Sequence, residues 1–174
     1  MDDDDLGQCG GGGWTMVLKI DGSKKTFHYD SPYWTDKNTY GLKSPEGETG
    51  LDHEETKLPT YWNTPFTKIC LGMTIPGEDT RFLALNMKAS SLDALIVDGK
   101  CRPTTVGRHQ WKTLIGYHAS LQPNCNREGF NVMSDNPPFS KARIGDVCNQ
   151  ENDCVTGDSR IGFGTGGHQR DFDS

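Results

Sequence analysis

Oxygen-bearing side chains are concentrated near the C-terminal end of the chain, where they could bind a calcium ion. The candidates are Asn149, Glu151, Asn152 and Asp153. Calcium takes about six to eight oxygens from carboxylates, amides and carbonyls, which a glycine-rich, disulfide-pinned loop can supply. Because an EF-hand frame starting at Asp146 has no glycine at its sixth position, the sequence predicts an irregular site. A solvated acidic loop is the alternative.

Residues that could catalyse a reaction do not form a recognised motif. The chain contains no G-x-S-x-G and no H-E-x-x-H, and Glu54-Glu55 are merely adjacent carboxylates. Residues 162–167 match G-x-G-x-x-G, but the seven residues that follow are too few for a dinucleotide site. We therefore predict that the protein is not an enzyme, with a secreted hydrolase as the distant alternative.

Two further groups of residues could contact a ligand. His168 lies in the polar tail that follows the glycines, and Tyr61 and Trp62 are adjacent aromatics in a loop-like region. Aromatic rings can stack on sugars, but in a loop-rich domain they also fill the core beneath the loops. Both roles stay open for Tyr61 and Trp62.

The cysteines indicate an oxidising compartment. Their number is even, as expected of a disulfide-bonded extracellular domain, and their spacing lacks the close pairs of a zinc site. Free buried thiols are the alternative for some of them. The predicted disulfide cysteines are Cys9, Cys70, Cys101, Cys125, Cys148 and Cys154.

Composition narrows the classes of partner. Four of the carboxylates behind the net charge of −6 are Asp2 to Asp5, and the chain has no Lys/Arg cluster, so we expect no nucleic-acid partner. The longest apolar run is residues 94–97, which excludes insertion into a membrane. We divide the chain into an acidic terminal tail or processing remnant, residues 1–6, and one domain, residues 7–174.

The elements that must position these residues are short. With 33% hydrophobic residues, 21 Gly and 9 Pro, the chain predicts brief elements joined by long loops. We predict a hairpin over 14–30 turning at Asp21-Gly22, strands over 66–75 and 81–87, and a helix from Ser91 to Gly99. Residues 111–117 fit either a strand or a helix, and the chain beyond Leu121 is polar and turn-rich. These elements predict an α+β domain.

The opening of the chain carries a family resemblance. Cys9, four glycines, Trp14 and Thr15 resemble the start of a fibrinogen-related domain, more closely of its intelectin branch. Other segments are similar to secreted domains of corals and other cnidarians, including skeletal organic matrix proteins and antiviral cnidarins. They are residues 57–66, 69–73, 124–131, 141–145, 149–154 and 160–167. The resemblance implies a loop-rich, disulfide-bonded, fibrinogen-related α+β fold.

The resemblance also implies a function. Intelectins bind calcium through a C-terminal Asn-x-Glu-His-His-Cys loop, and the ion binds vicinal sugar hydroxyls. Asn149, Glu151 and Cys154 match that loop, Asn152 replaces a histidine, and Asp171 lies roughly where another acidic ligand follows. We therefore expect a secreted, extracellular lectin-like module that binds glycans or glycoproteins through calcium, with a defence or antiviral role. The alternative is a structural matrix protein that binds calcium without recognising sugars; the oligomeric state stays open.

Overall fold

The described part of the chain forms eight β-strands in three antiparallel sheets, joined by short helices. A computed structural model describes residues 6–41, 54–116, 120–136 and 139–167. The strands are β1 (Leu18–Lys19), β2 (Thr56–Lys57), β3 (Phe66–Met73), β4 (Arg81–Ala89), β5 (Arg102–Pro103), β6 (Asn124–Met133), β7 (Lys141–Asn149) and β8 (Ser159–Gly166). The helices are α1 (Thr60–Asn63), α2 (Leu92–Ile96) and α3 (Arg108–Lys112), with 3-10 turns at Gly7–Cys9 and Pro32–Trp34.

The α+β prediction is wrong, because the protein is a β-rich domain. Within the described ranges the longest helices, α2 and α3, have five residues each. Helices this short cannot form a layer that covers a sheet, so strands and irregular segments enclose the core instead.

The largest sheet lies in the part of the sequence that predicts only turns. Its strand order is β5-β6-β7-β8, and all neighbours run antiparallel. The central strand β7 is buried at every position except its first, on both faces of the sheet. A strand covered on both sides lacks the alternation of apolar and polar residues that marks a half-exposed strand. The polar residues Arg143 and Asp146 also interrupt the apolar run that would predict a buried strand.

Two sequence-predicted features of the middle of the chain are confirmed. β3 and β4 form an antiparallel hairpin over 66–73 and 81–89, where Leu83 and Leu85 of β4 are buried. They form a two-stranded sheet of their own. The helix after Ser91 is present as α2, and the Ser91 hydroxyl caps it by accepting a hydrogen bond from the Ala94 N–H at 3.1 Å.

The predicted hairpin over 14–30 is wrong. Only Leu18 and Lys19 of that stretch are in a strand, and they pair with Lys57 and Thr56 of β2, far along the chain. The segment after Gly22 folds into turns, and Phe27 and Tyr29 are buried. The apolar face of residues 14–20 therefore finds its partner by a long-range contact that local turn chemistry does not reveal.

A single main core joins the three sheets. It includes the two fully enclosed tryptophans, Trp34 and Trp111, and the indole N–H of Trp34 donates to the Phe27 carbonyl at 3.0 Å. Gly164 of β8 packs against the ring of Trp34, where a Cβ would come within 2.6 Å of the indole. The other buried members are Phe27, Tyr61, Leu71, Leu83, Leu85, Leu92, Leu95, Ile96, Leu114, Phe130, Ile144 and Ile161.

All six cysteines lie in the described ranges, and four of them form disulfides. Cys9 bonds to Cys70 on β3, and Cys125 on β6 bonds to Cys154. The prediction that Cys101 and Cys148 are also disulfide-bonded is corrected, because both are free thiols. Cys148 is fully buried in the central strand, whereas Cys101 is exposed, so the two thiols are in different environments. No helix in the described ranges is long and apolar enough to cross a membrane.

Candidate functional site

An open cavity of about 360 Å³ lies between the chain that leaves β5 and the start of β6. This volume is within the range of about 300–1,000 Å³ that is usual for small-molecule sites. We call it the polar pocket, because most of its lining side chains carry hydroxyl, amide, guanidinium or carboxylate groups. It is lined by Pro103, Thr104, Thr105, Gly107, Asn126, Arg127 and Glu128.

An irregular start to β6 brings Asn126 and Arg127 to the pocket. The pairing of β6 with β7 shifts between Asn124 and Arg127, and Cys125 and Asn126 have φ angles of 70° and 47°. The left-handed conformation is costly for Cys125, and its disulfide to Cys154 fixes the chain at that position. The exposed Asn126 amide therefore projects from an anchored backbone.

Glu128 shapes the opposite wall, which we call the anchored loop, residues 104–107. The Glu128 side chain accepts from the Thr104 hydroxyl at 2.8 Å, from the Val106 N–H at 2.6 Å and from the Gly107 N–H at 2.8 Å. A weaker bond of 3.3 Å comes from the Asn126 amide. The Glu128 carboxylate is almost completely buried and replaces the backbone partners that this loop lacks.

The guanidinium of Arg127 is held in place beside the pocket. It donates to the Met133 carbonyl at 2.9 Å and to the Asp135 carboxylate at 2.7 Å. Two fixed acceptors reduce the conformational freedom of this long side chain before any ligand arrives. The side chain of this lining residue is therefore ordered in the free protein.

A second carboxylate lies behind the first. Asp146 on β7 is directly opposite Glu128 on β6 and has no exposed surface. Burial, reinforced by the charge of Glu128, raises the pKa of Asp146 to about 7. The neighbouring Cys148 thiol is also buried, and its burial raises its pKa above the ordinary value, so this thiol is not an activated nucleophile.

The structure brings two of the predicted calcium ligands, Asn149 and Asp153, into contact. The Asn149 side-chain NH2 donates to the Asp153 carboxylate at 3.2 Å and to the Asp153 backbone carbonyl at 3.0 Å, and the Asn149 side-chain Oδ1 accepts from the Gln150 N–H. Glu151 and Asn152 are exposed. Across the described ranges, no group of three His, Cys, Asp or Glu side chains could hold a metal ion. Asp171 and His168 lie outside those ranges.

The two aromatic candidates occupy different environments. Tyr61 has no exposed surface, and its hydroxyl donates to the Trp34 carbonyl, so the structure places it in the core and not on a stacking platform. Trp62 is partly exposed, and its ring lies 5.6 Å from the Lys57 ammonium. Neither residue lines the polar pocket.

Sequence reasoning missed the pocket because its residues come from segments that lack an obvious motif. The one available signal was the run Asn124-Cys125-Asn126, in which a disulfide cysteine sits between polar residues that tolerate left-handed backbone. The link between Glu128 and the anchored loop spans more than twenty residues and could not be inferred.

Comparison with known proteins does not identify a function for this chain. The chain matches no protein-family profile, and neither curated proteins nor solved structures match it significantly.

Proposed function

We propose that this chain is an extracellular, disulfide-bonded module that binds glycans or glycoproteins through the polar pocket. The single observation that carries the proposal is the convergence of Thr105, Asn126 and Arg127 on one cavity whose walls are fixed before binding. Hydroxyl, amide and guanidinium groups are the partners that the hydroxyl groups of a sugar require. The two disulfides support an oxidising compartment.

The shape of the pocket favours binding over catalysis. Glu128 has its acceptor oxygens occupied by donors from the anchored loop, and Asp146 is enclosed beneath the surface. Neither carboxylate is therefore presented to a ligand as an acid, base or nucleophile. We propose that the pocket recognises its ligand without transforming it.

Calcium is a separate part of the proposal. Asn149 and Asp153 already bond to each other, so the polar pocket is the more direct route to glycan recognition. A calcium site completed by Asp171 would make binding sensitive to a chelator and to Glu151→Gln. A matrix protein would instead take up calcium weakly through exposed carboxylates, and salt would screen that uptake.

The test is a glycan and glycoprotein array with purified, oxidised protein, in calcium and again after chelation. Asn126→Gly removes the pocket amide while glycine keeps the left-handed backbone, and Thr105→Val removes a hydroxyl at nearly constant volume. We expect each variant to weaken binding about tenfold, the cost of one or two lost hydrogen bonds. Thr67→Val, an exposed threonine on β3 outside the pocket, is the matched control and should bind normally.

The possible outcomes separate the candidates. Selective binding that the pocket variants reduce and the Glu151→Gln variant retains supports the polar pocket. Binding that is lost on chelation and in Glu151→Gln, but retained in the pocket variants, would move the site to the calcium loop. An array without signal, together with salt-sensitive calcium uptake, would overturn the lectin-like function in favour of the matrix protein.

A further inference from the structure

Asp146 is an unusual residue for the centre of a sheet. It lies in β7, paired with Glu128 of β6 on one side and Ile161 of β8 on the other, and has no exposed surface. Neither of its carboxylate oxygens has a nitrogen or oxygen donor among the described residues, and the buried Cys148 thiol is their one, weak side-chain donor. Buried polar groups nearly always have good partners, so a carboxyl with only a thiol donor in this position needs an explanation.

The groups that face Asp146 act mainly against its charge. Burial disfavours the charge most, and Glu128 on β6 is a carboxylate directly across the strand pair. The Cys148 thiol on the same strand acts the other way, because its hydrogen bond favours the charged form of Asp146. Arg108 of α3 is the one cation nearby that favours the charged form, and its guanidinium already donates to the Leu121 carbonyl at 2.9 Å. The residue opposite on β8 is the apolar Ile161. The neutral form of Asp146 is therefore favoured when the pocket walls are arranged as described.

The same cluster holds the wall of the polar pocket. Glu128 is both the carboxylate that repels an ionised Asp146 and the acceptor for Thr104, Val106 and Gly107. The β6–β7 pair is fixed by a backbone ladder, whereas the Glu128 carboxylate fixes the anchored loop. When Asp146 ionises, its charge repels that of Glu128. The hydrogen bonds between Glu128 and the anchored loop are weaker than the β6–β7 backbone ladder, so the loop and not the strand pair responds.

We propose that the protonation state of Asp146 controls the anchored loop, so that the polar pocket is ordered when Asp146 is neutral and loosens when it ionises. Its consequence for ligand binding rests on the proposed function: glycans would bind more tightly in mildly acidic than in alkaline solution. The loop response itself does not depend on any ligand.

The first arm of the test needs no ligand. The amide protons of Val106 and Gly107, which donate to Glu128, are followed by NMR from about pH 5 to about pH 9. We expect both resonances to move with one common midpoint in the native protein and to stay constant in Asp146→Asn. Asp79→Asn, an exposed aspartate between β3 and β4, is the control and should titrate like the native protein. Static amides in the native protein, or an unchanged titration in Asp146→Asn, would overturn the proposal.

A second variant protects the test against misfolding. Glu128→Gln keeps an acceptor oxygen for the anchored loop but removes the opposing charge. It should therefore shift the common midpoint to lower pH, because an ionised Asp146 no longer faces a carboxylate. An unchanged midpoint in this variant would also overturn the proposal.

The second arm uses a glycan identified on the array. We expect its dissociation constant to rise about tenfold between about pH 5.5 and about pH 8.5 in the native protein and to stay level in Asp146→Asn. If the amides titrate as expected but no glycan binds, the proposed function fails and this inference stands. If a glycan binds the pocket with no pH dependence, the control of binding fails and the proposed function stands.

Discussion

At the scale of single residues, Lys57 is a fully buried charge held by three hydrogen bonds. Its side chain has no exposed surface, and its ammonium donates to the Tyr33 carbonyl at 2.6 Å, the Asp36 carbonyl at 2.9 Å and the Asp36 carboxylate at 2.7 Å. The ring of Tyr61 lies 4.8 Å from the same ammonium. Partial burial opposes ionisation of Asp36, but the hydrogen bonds from Lys57 and Asn38 lower its pKa below the ordinary value. One buried cation therefore joins β2 to the 3-10 turn that carries Tyr33 and Trp34.

Replacing Lys57 should destabilise the fold strongly. Lys57→Met keeps most of the side-chain volume but removes the donor from two carbonyls, those of Tyr33 and Asp36, and leaves Asp36 without its ion pair. We expect the free energy of unfolding to fall by about 3 kcal/mol, measured by denaturant unfolding. Lys25→Met, at an exposed position, is the control and should be nearly neutral. A loss below about 1 kcal/mol for Lys57→Met would contradict this account of the cluster.

Asp146 predicts how stability changes with pH. Its pKa is raised from 3.8 to about 7 in the folded protein, mainly by burial, so the neutral form is favoured by folding. The stabilising contribution is complete below about pH 4 and is lost progressively up to about pH 7, a decline of about 4 kcal/mol. We expect Asp146→Asn to flatten this part of the stability profile, measured by urea unfolding across the range. If the free energy of unfolding of Asp146→Asn falls with pH as much as that of the native protein, groups other than Asp146 cause the decline.

At the scale of elements, the glycines of β7 and β8 let the two strands approach closely. Gly145 and Gly162 are cross-strand neighbours, and a Cβ on Gly162 would lie 2.2 Å from the Ile144 carbonyl oxygen. Gly162 also has a φ of 155°. Gly162 and Gly164 of the G-x-G-x-x-G run are thus part of β8, where the absence of a side chain permits close approach of the backbones.

Adding one methyl group at Gly162 should disrupt the largest sheet, at the pairing of β7 with β8. The added Cβ would clash with the backbone of Ile144 and Gly145 on the facing strand β7. Gly162→Ala should therefore lower the free energy of unfolding by more than about 3 kcal/mol or prevent folding. Gly77→Ala is the matched control: Gly77 also has a positive φ, of 84°, but a Cβ there meets nothing within 4 Å. It should cost only about 1 kcal/mol. Equal losses for the two variants, measured by thermal unfolding, would show that backbone strain and not strand packing decides the effect.

The elements that sequence predicts are those whose partners are close in the chain. The β3–β4 hairpin and the capped helix α2 follow from local alternation and from Ser91, so they were predictable. β1 pairs with β2 across nearly forty residues, and β7 is enclosed on both faces, so local patterns identify neither. The polar pocket depends on Glu128 reaching Gly107, a tertiary contact without a sequence signal. The calcium loop was inferred from residue types alone, and types do not show that Asn149 and Asp153 bond to each other.

At the scale of the whole molecule, the cysteines define a measurable pattern of reactivity. We expect one thiol, that of Cys101, to react with a maleimide in the native protein, because Cys148 is fully buried. Cys148 should react only after denaturation, and the remaining four cysteines only after reduction. Thiol counting by intact mass checks each stage. A native protein without a reactive thiol would show that Cys101 is bonded.

The covalent connectivity has a consequence for limited proteolysis. The Cys9–Cys70 bond encloses β1, β2 and the Lys57 cluster, and the Cys125–Cys154 bond closes a second ring that does not overlap the first. A single cut inside either ring would leave the fragments linked, so a nicked molecule would run as one species without reductant and as two with it. A cut between Cys70 and Cys125 would separate two halves held together only by noncovalent packing. Nicking in that middle stretch would thus test whether the shared core can keep two disconnected rings associated.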